Sequence, residues 1–112
     1  MLGVNSRVEL AQAHTELQMR YNRKIMLSGV TMCSPETILI SPDCAIGQDS
    51  ILQAGVQISG TSEIGINSYL ASGTVLHNCR VGDRAVIGAN SVLHNCIVED
   101  GVLLPPLTFK SE

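Results

Sequence analysis

Two identical pentapeptides carry the side chains best suited to chemistry in this sequence. Residues 75–79 read Val-Leu-His-Asn-Cys, and residues 92–96 repeat that order 17 positions later, so His77 and His94 occupy one point of a repeating unit. Imidazole is the most frequent general base in enzymes. If each repeat forms one coil, the two rings stack at one bend and could face a cleft between subunits. The alternative is that polar residues at such bends simply face water.

The four cysteines give weaker signals. Cys33, Cys44, Cys79 and Cys96 show no C-x-x-C spacing, which argues against a zinc site. We expect Cys79 and Cys96 to be neighbours about 4.8 Å apart on adjacent coils. A disulfide could span that distance, and the alternative is a pair of small reduced thiols, as in most cytoplasmic proteins. Cys44 is predicted to fill a small inward site, and none of the four is predicted to be an activated nucleophile.

Composition excludes several classes of function. Seven Lys and Arg residues against ten Asp and Glu residues give a formal net charge of −3, whereas nucleic-acid-binding domains are usually basic. No apolar run approaches the ~20 residues that span a membrane. Residues 1–16 lack the basic-then-apolar order of a secretory signal. We therefore expect a cytoplasmic protein without nucleic-acid or membrane partners.

Residues 1–30 are predicted to form a short tail and a long helix. Ser6 and Glu9 have the spacing of a capping box, and no Gly or Pro interrupts the chain from there to Ser28. Gly29 can end the helix in the left-handed conformation. The exposed His14 is predicted to lie on this helix. Apolar residues recur near helical spacing at Leu10, Leu17, Tyr21 and Ile25.

Residues 31–112 repeat in steps of six. After an apolar residue, Gly often follows and a small residue stands four places further on. Two of the later steps are shortened by one residue. The apolar positions are Ile40, Ile46, Leu52, Ile58, Ile64, Leu70, Leu76, Val81, Ile87, Leu93, Val98 and Leu104; the small ones are Ser50, Ser62, Ser68, Thr74, Ala85 and Ser91.

Three such hexads make one turn of a three-sided coil of 17 or 18 residues. Short strands form the sides, one apolar side chain per side points inward, and like residues form ladders between coils. The sequence therefore predicts a mainly β fold, a parallel β-helix of about four coils over residues 31–112. The segment 103–107 departs from the pattern, and we expect Pro105, Pro106 and Phe109 to form a terminal cap because proline cannot extend a strand ladder.

The hexads resemble those of the hexapeptide-repeat acyltransferases and nucleotidyltransferases, which implies a left-handed parallel β-helix and a homotrimer. The resemblance is closer still to one bacterial family. Residues 3–10 (Gly-Val-Asn-Ser-Arg-Val-Glu-Leu), the helix after them, and residues 26–31 leading to Pro35 are similar to the bifunctional N-acetylglucosamine-1-phosphate uridyltransferase / glucosamine-1-phosphate acetyltransferase. The matching stretch is the end of the uridyltransferase domain, the linking helix and the first β-helix coils.

This resemblance implies two possible roles. The family's uridyltransferase uses UTP and holds Mg²⁺ partly through the Asn of its Gly-Val-Asn motif, here Asn5, but the other ligand lies in an N-terminal domain outside this chain. Asn5 is thus a half-site, or it only bonds nearby backbone. The acetyltransferase residues belong to later coils. The first role is a trimerising module without its own catalysis, serving synthesis of UDP-N-acetylglucosamine for the cell wall. The second is a small acetyl-CoA-dependent acyltransferase that uses His77 or His94 between subunits. A scaffold without any link to sugar nucleotides is a third possibility.

Overall fold

The computed structural model describes residues 6–111 and contains one helix followed by a three-sided β-solenoid. Helix α1 (Ser6–Leu27) is free of Gly and Pro. Ser6, which the sequence predicted as the capping residue, is helical in the structure. The helix ends where the amide of Gly29 donates to the carbonyl of Met26, 3.0 Å away. Gly29 has φ 108°, which confirms the predicted left-handed termination.

The solenoid consists of short parallel strands on three faces. In chain order they are β1 (Thr31–Met32), β2 (Leu39–Ile40), β3 (Ala45–Ile46), β4 (Ile51–Leu52), β5 (Gln57–Ser59), β6 (Glu63–Ile64), β7 (Tyr69–Leu70), β8 (Val75–His77), β9 (Arg80–Val81), β10 (Val86–Ile87), β11 (Val92–His94), β12 (Ile97–Val98), β13 (Leu103–Leu104) and β14 (Phe109–Ser111). A short 3-10 helix (Pro35–Thr37) widens the first coil between β1 and β2.

Each face collects every third strand. Face A contains β1, β4, β7, β10 and β13; face B contains β2, β5, β8, β11 and β14; face C contains β3, β6, β9 and β12. All strand pairs are parallel. The predicted parallel β-helix is confirmed, with four complete coils and two strands of a fifth.

Residues that repeat in the sequence stack in the structure. Ile58, Leu76 and Leu93 occupy successive rungs of face B and are at most 1 % exposed. All predicted apolar inward positions are buried except Ile46 and Leu104, which are half-buried and pack against the same core. This core is almost wholly aliphatic, because one side chain per side of each coil must fit a narrow prism.

The small residues predicted to point inward are buried as well. The hydroxyl groups of the serine and threonine residues in this set all donate hydrogen bonds to nearby backbone carbonyls. The Ser50 hydroxyl, for example, donates to the carbonyl of Gly65 at 2.8 Å and accepts the amide of Ser68 at 3.1 Å. These bonds offset the cost of burying a polar group in the core.

The C-terminal segment is not the cap that its prolines predicted. Residues 103–104 and 109–111 form β13 and β14, which pair with β10 and β11 as in the earlier coils. One coil before Pro105, the amide of Gly88 donates only to the following coil, to the carbonyl of Leu104 at 2.9 Å. The amide that Pro105 lacks would therefore have donated to a following coil and not to the preceding one. For this reason the strand ladder with the preceding coil is not interrupted at Pro105.

The predicted apolar positions of α1 divide into two groups. Every residue from 6 to 17 is exposed, including Leu10 and Leu17 at 57 % and 61 %. Tyr21 and Ile25, by contrast, pack against the β-helix core. The one fully buried side chain of the described helix is polar: Asn22.

Helix α1 covers the open end of the first coil. In the second coil, the carbonyls of Val56, Ile58 and Ser62 accept amide protons from the first coil. The equivalent carbonyls of the first coil face the helix instead of another coil. Side chains of α1 supply the donors for these carbonyls: Asn22 Nδ2 donates to Ile38 O (2.9 Å), Gln18 Nε2 to Ile40 O (3.2 Å), and the Tyr21 hydroxyl to Cys44 O (3.2 Å). Asn22 Nδ2 also donates to Pro35 O (3.0 Å), which accepts the amide of Ile38 as well.

Candidate functional site

The candidate site is a row of polar side chains along one edge of face B. Ser59, His77, His94 and Ser111 are the last residues of β5, β8, β11 and β14 and are in register. The histidines are half-buried, and their ring centroids lie 5.8 Å apart at an interplanar angle of 54°. The structure thus brings the two histidines together as the 17-residue repeat predicted, because adjacent parallel strands place equivalent residues one rung apart.

Ser59 contacts the first of the two rings. Its hydroxyl oxygen lies 2.8 Å from Nδ1 of His77 and 3.4 Å from the carbonyl of Leu76. When the hydroxyl donates to that carbonyl, the imidazole donates its Nδ1–H to the serine, and Nε2 then carries a free lone pair. Ser59 was not singled out from the sequence, although its position one coil before His77 was a usable signal.

A tighter corner follows the histidines. The step from face B to face C takes six residues from Gln57 to Glu63 but five from Val75 to Arg80. Asn78 turns this corner with φ 52°. Asparagine tolerates the left-handed conformation better than most residues do.

Both asparagines beside the histidines serve the backbone. The side-chain Oδ1 atom of Asn78 accepts the backbone amide of Thr61 at 3.0 Å. Asn95 has φ 55°, and its backbone amide donates to the carbonyl of His77 at 2.9 Å. These contacts give both residues a structural role at the corner.

The inward cysteines are packing residues. Cys44, Cys79 and Cys96 are buried, and all four cysteines of the chain are free. Burial raises the pKa of the Cys44 and Cys79 thiols above their ordinary value, which keeps both protonated at neutral pH. Cys79 Sγ lies 3.2 Å from the carbonyl of Leu93. The free thiols of Cys79 and Cys96 agree with the expected reduced pair, and the burial of Cys44 and Cys79 agrees with the expected lack of activation.

The outer surfaces of the three faces differ in chemistry. Face C carries the exposed ion pair of Glu63 and Arg80, with 3.5 Å between Oε1 and Nε. Faces A and B carry rows of apolar side chains along their ladders. Those of face A are Ile51, Tyr69, Val86 and Leu103, with polar Thr31 at the first coil; those of face B are Leu39, Val75, Val92 and Phe109, with polar Gln57 between the first two. Face C also carries an exposed large apolar side chain, Ile97.

The remaining sequence predictions concern Asn5, metal-binding groups, membrane-spanning segments and His14. Asn5 lies outside the described residues. Within residues 6–111, no three His, Cys, Asp or Glu side chains converge as a metal-binding group. No helix in that same range is long and apolar enough to cross a bilayer. His14 is exposed on α1, as predicted.

The coil geometry and the repeats together define a parallel β-helix fold built from six-residue repeats. Residues 61–95 match the protein-family model described as bacterial transferase hexapeptide (six repeats). This matched segment includes both β8 with His77 and β11 with His94.

Among curated proteins, the chain is similar to the bifunctional protein GlmU of several bacteria. It is 51 % identical over 81 residues to that of Desulfotalea psychrophila, which covers 72 % of this chain and 24 % of the relative. It is 42 % identical over 84 residues to that of Pelobacter propionicus, which covers 75 % of this chain and 18 % of the relative. The resemblance predicted from the sequence is confirmed, and it concerns a minor part of the relatives' length.

Proposed function

We propose that this chain is the trimerising β-helix portion of a UDP-N-acetylglucosamine pyrophosphorylase and has no catalytic activity by itself. The observation that carries the proposal is the similarity to GlmU, of which the chain spans 18–24 %. UTP and Mg²⁺ would bind to an N-terminal uridyltransferase domain that belongs to the same parent enzyme. The proposed setting is cytoplasmic synthesis of the sugar nucleotide for peptidoglycan and lipopolysaccharide.

The outer surface supports association through faces A and B. Apolar side chains fill four of the five outward positions on each of these faces, whereas face C carries the ion pair of Glu63 and Arg80 beside Ile97. Ala54, Ser72 and Ala89 lie at the corner between A and B, so a neighbouring molecule can approach the backbone closely there. Three copies that direct this corner toward a common axis would bury both rows and leave the charged face in water.

Val86→Arg on face A is expected to convert the trimer into monomers, because the new guanidinium would have to lose its water inside an apolar interface. Light scattering after size-exclusion chromatography, at tens of micromolar protein, measures the mass. Ala45→Arg is the matched control, since Ala45 is exposed on face C. Circular dichroism shows whether each variant keeps its fold. A monomeric unmodified chain, or equal dissociation by both variants, would contradict the proposed interface.

The proposed lack of catalysis predicts that the chain binds neither UTP with Mg²⁺ nor acetyl-CoA. Its described part offers one paired imidazole site, and the nucleotide-binding elements of the parent family belong to the other domain. Isothermal titration calorimetry of the assembled protein with each ligand is the measurement. Heat that saturates with UTP would contradict the division of roles between the two domains.

A small acyltransferase is the second candidate, and one contact favours it. The Ser59 hydroxyl, 2.8 Å from Nδ1 of His77, can hold that ring in the tautomer whose Nε2 accepts a proton. In this case acetyl-CoA would bind between subunits. Saturable acetyl-CoA binding, with acetyl transfer to an amine that is lost in His77→Asn or His94→Asn, would replace the first proposal.

A further inference from the structure

We propose that His77 and His94 together form a binding site for a divalent late first-row transition metal ion, such as Ni²⁺ or Zn²⁺. Each imidazole would contribute one nitrogen, and water would complete the coordination sphere. This site is independent of the proposed assembly role, and it is built from residues of a single chain.

The ladder register brings the rings close enough to share an ion. His77 and His94 are directly paired residues of β8 and β11, and their ring centroids are 5.8 Å apart. Two imidazoles on one ion, with metal–nitrogen bonds of about 2.1 Å, hold their centroids roughly 5 Å apart. Rotation about the side-chain bonds of the two histidines would have to close the remaining distance and turn one nitrogen of each ring toward a common point.

The Ser59 hydroxyl can orient one of the two metal ligands, the imidazole of His77. A metal-binding histidine usually donates its second ring N–H to a neighbouring acceptor, which fixes the ring and makes the bound nitrogen more basic. The Ser59 hydroxyl, 2.8 Å from Nδ1 of His77, is such an acceptor, and it can pass its own proton to the carbonyl of Leu76 at 3.4 Å. The Nε2 lone pair of His77 is then available to the ion.

The ligand set selects the class of metal. Neutral imidazole suits Zn²⁺, Ni²⁺ and Cu²⁺ better than Mg²⁺ or Ca²⁺, which prefer oxygen ligands. The nearby Cys79 and Cys96 thiols are buried, and they lie close to carbonyls of the backbone at 3.2 Å and 3.0 Å. The ion would therefore keep two protein nitrogens and several exchangeable waters.

Calorimetry with Ni²⁺ on the intact, assembled chain tests the proposal. Cys33→Ser is introduced in every sample, because the half-exposed Cys33 thiol could bind metal by itself. We expect one Ni²⁺ per chain, and a loss of affinity of about tenfold or more in His77→Asn and in His94→Asn. Ser59→Ala keeps both ligands but removes the oriented acceptor, and should weaken binding by roughly tenfold.

The third histidine provides the matched control. His14→Asn changes an exposed imidazole on α1 and should leave the affinity unchanged. In proton NMR spectra, paramagnetic Ni²⁺ should broaden the ring signals of His77 and His94 before those of His14. Equal losses in all three variants, unchanged affinity in His77→Asn or His94→Asn, or one ion per three chains would each overturn the two-imidazole site.

Discussion

Asn22→Ala is expected to lower the free energy of unfolding by about 3 kcal/mol, although it removes only a small polar side chain. Asn22 is fully buried, and its amide nitrogen donates to the carbonyls of Ile38 and Pro35 at 2.9 Å and 3.0 Å. Alanine leaves the buried carbonyl of Ile38 without its donor, and such an unsatisfied group costs about 1–3 kcal/mol. The carbonyl of Pro35 loses one bond but keeps the backbone amide of Ile38 at 3.2 Å. The loss should also loosen the contact between α1 and the first coil.

Urea denaturation followed by circular dichroism, at a fixed protein concentration, measures this change. Gln12→Ala is the matched control, because it removes an amide from an exposed position of the same helix and should change the stability by less than about 0.5 kcal/mol. If the two variants were equally stable, the donors of α1 would not be needed to cover the carbonyl edge.

Gly65→Ala is expected to destabilise the middle of the solenoid by roughly 3 kcal/mol or more, the upper part of the range for overpacking. A Cβ at this position would lie 2.7 Å from the backbone nitrogen of Asp83 and 2.7 Å from the carbonyl carbon of Gly82. The next coil cannot retreat freely, because the Gly65 amide donates to the Val81 carbonyl at 2.8 Å and the Ile66 amide to Oδ1 of Asp83 at 2.9 Å.

Gly101→Ala separates crowding from backbone strain. Gly101 has φ +70°, but an added Cβ would meet no atom within 4 Å, so only the left-handed conformation is penalised, by about 1–2 kcal/mol. In thermal unfolding followed by calorimetry, the midpoint temperature of Gly65→Ala should be clearly lower than that of Gly101→Ala. The reverse order would mean that the coils can separate more easily than their hydrogen bonds suggest.

The repeat period by itself determined the fold and the core. Equal spacing of like residues requires equal backbone geometry in each coil, so the inward positions and the stacking of His77 on His94 could be read from the sequence. The 17-residue distance was enough to place the two rings on adjacent rungs. Even Ser59 follows from this rule, as it lies one coil before His77.

Only the tertiary structure decided which coil or side chain pairs with each backbone amide and carbonyl. Pro105 looked like a terminator because proline lacks an amide proton, but at that position the amide bonds only to the following coil, as Gly88 shows. Asn22 of the helix was not singled out from the sequence. Its partners at Pro35 and Ile38 are 13 and 16 residues away. The carbonyl of Ile38 needs a side-chain donor because helix α1, and not another coil, covers that end of the ladder.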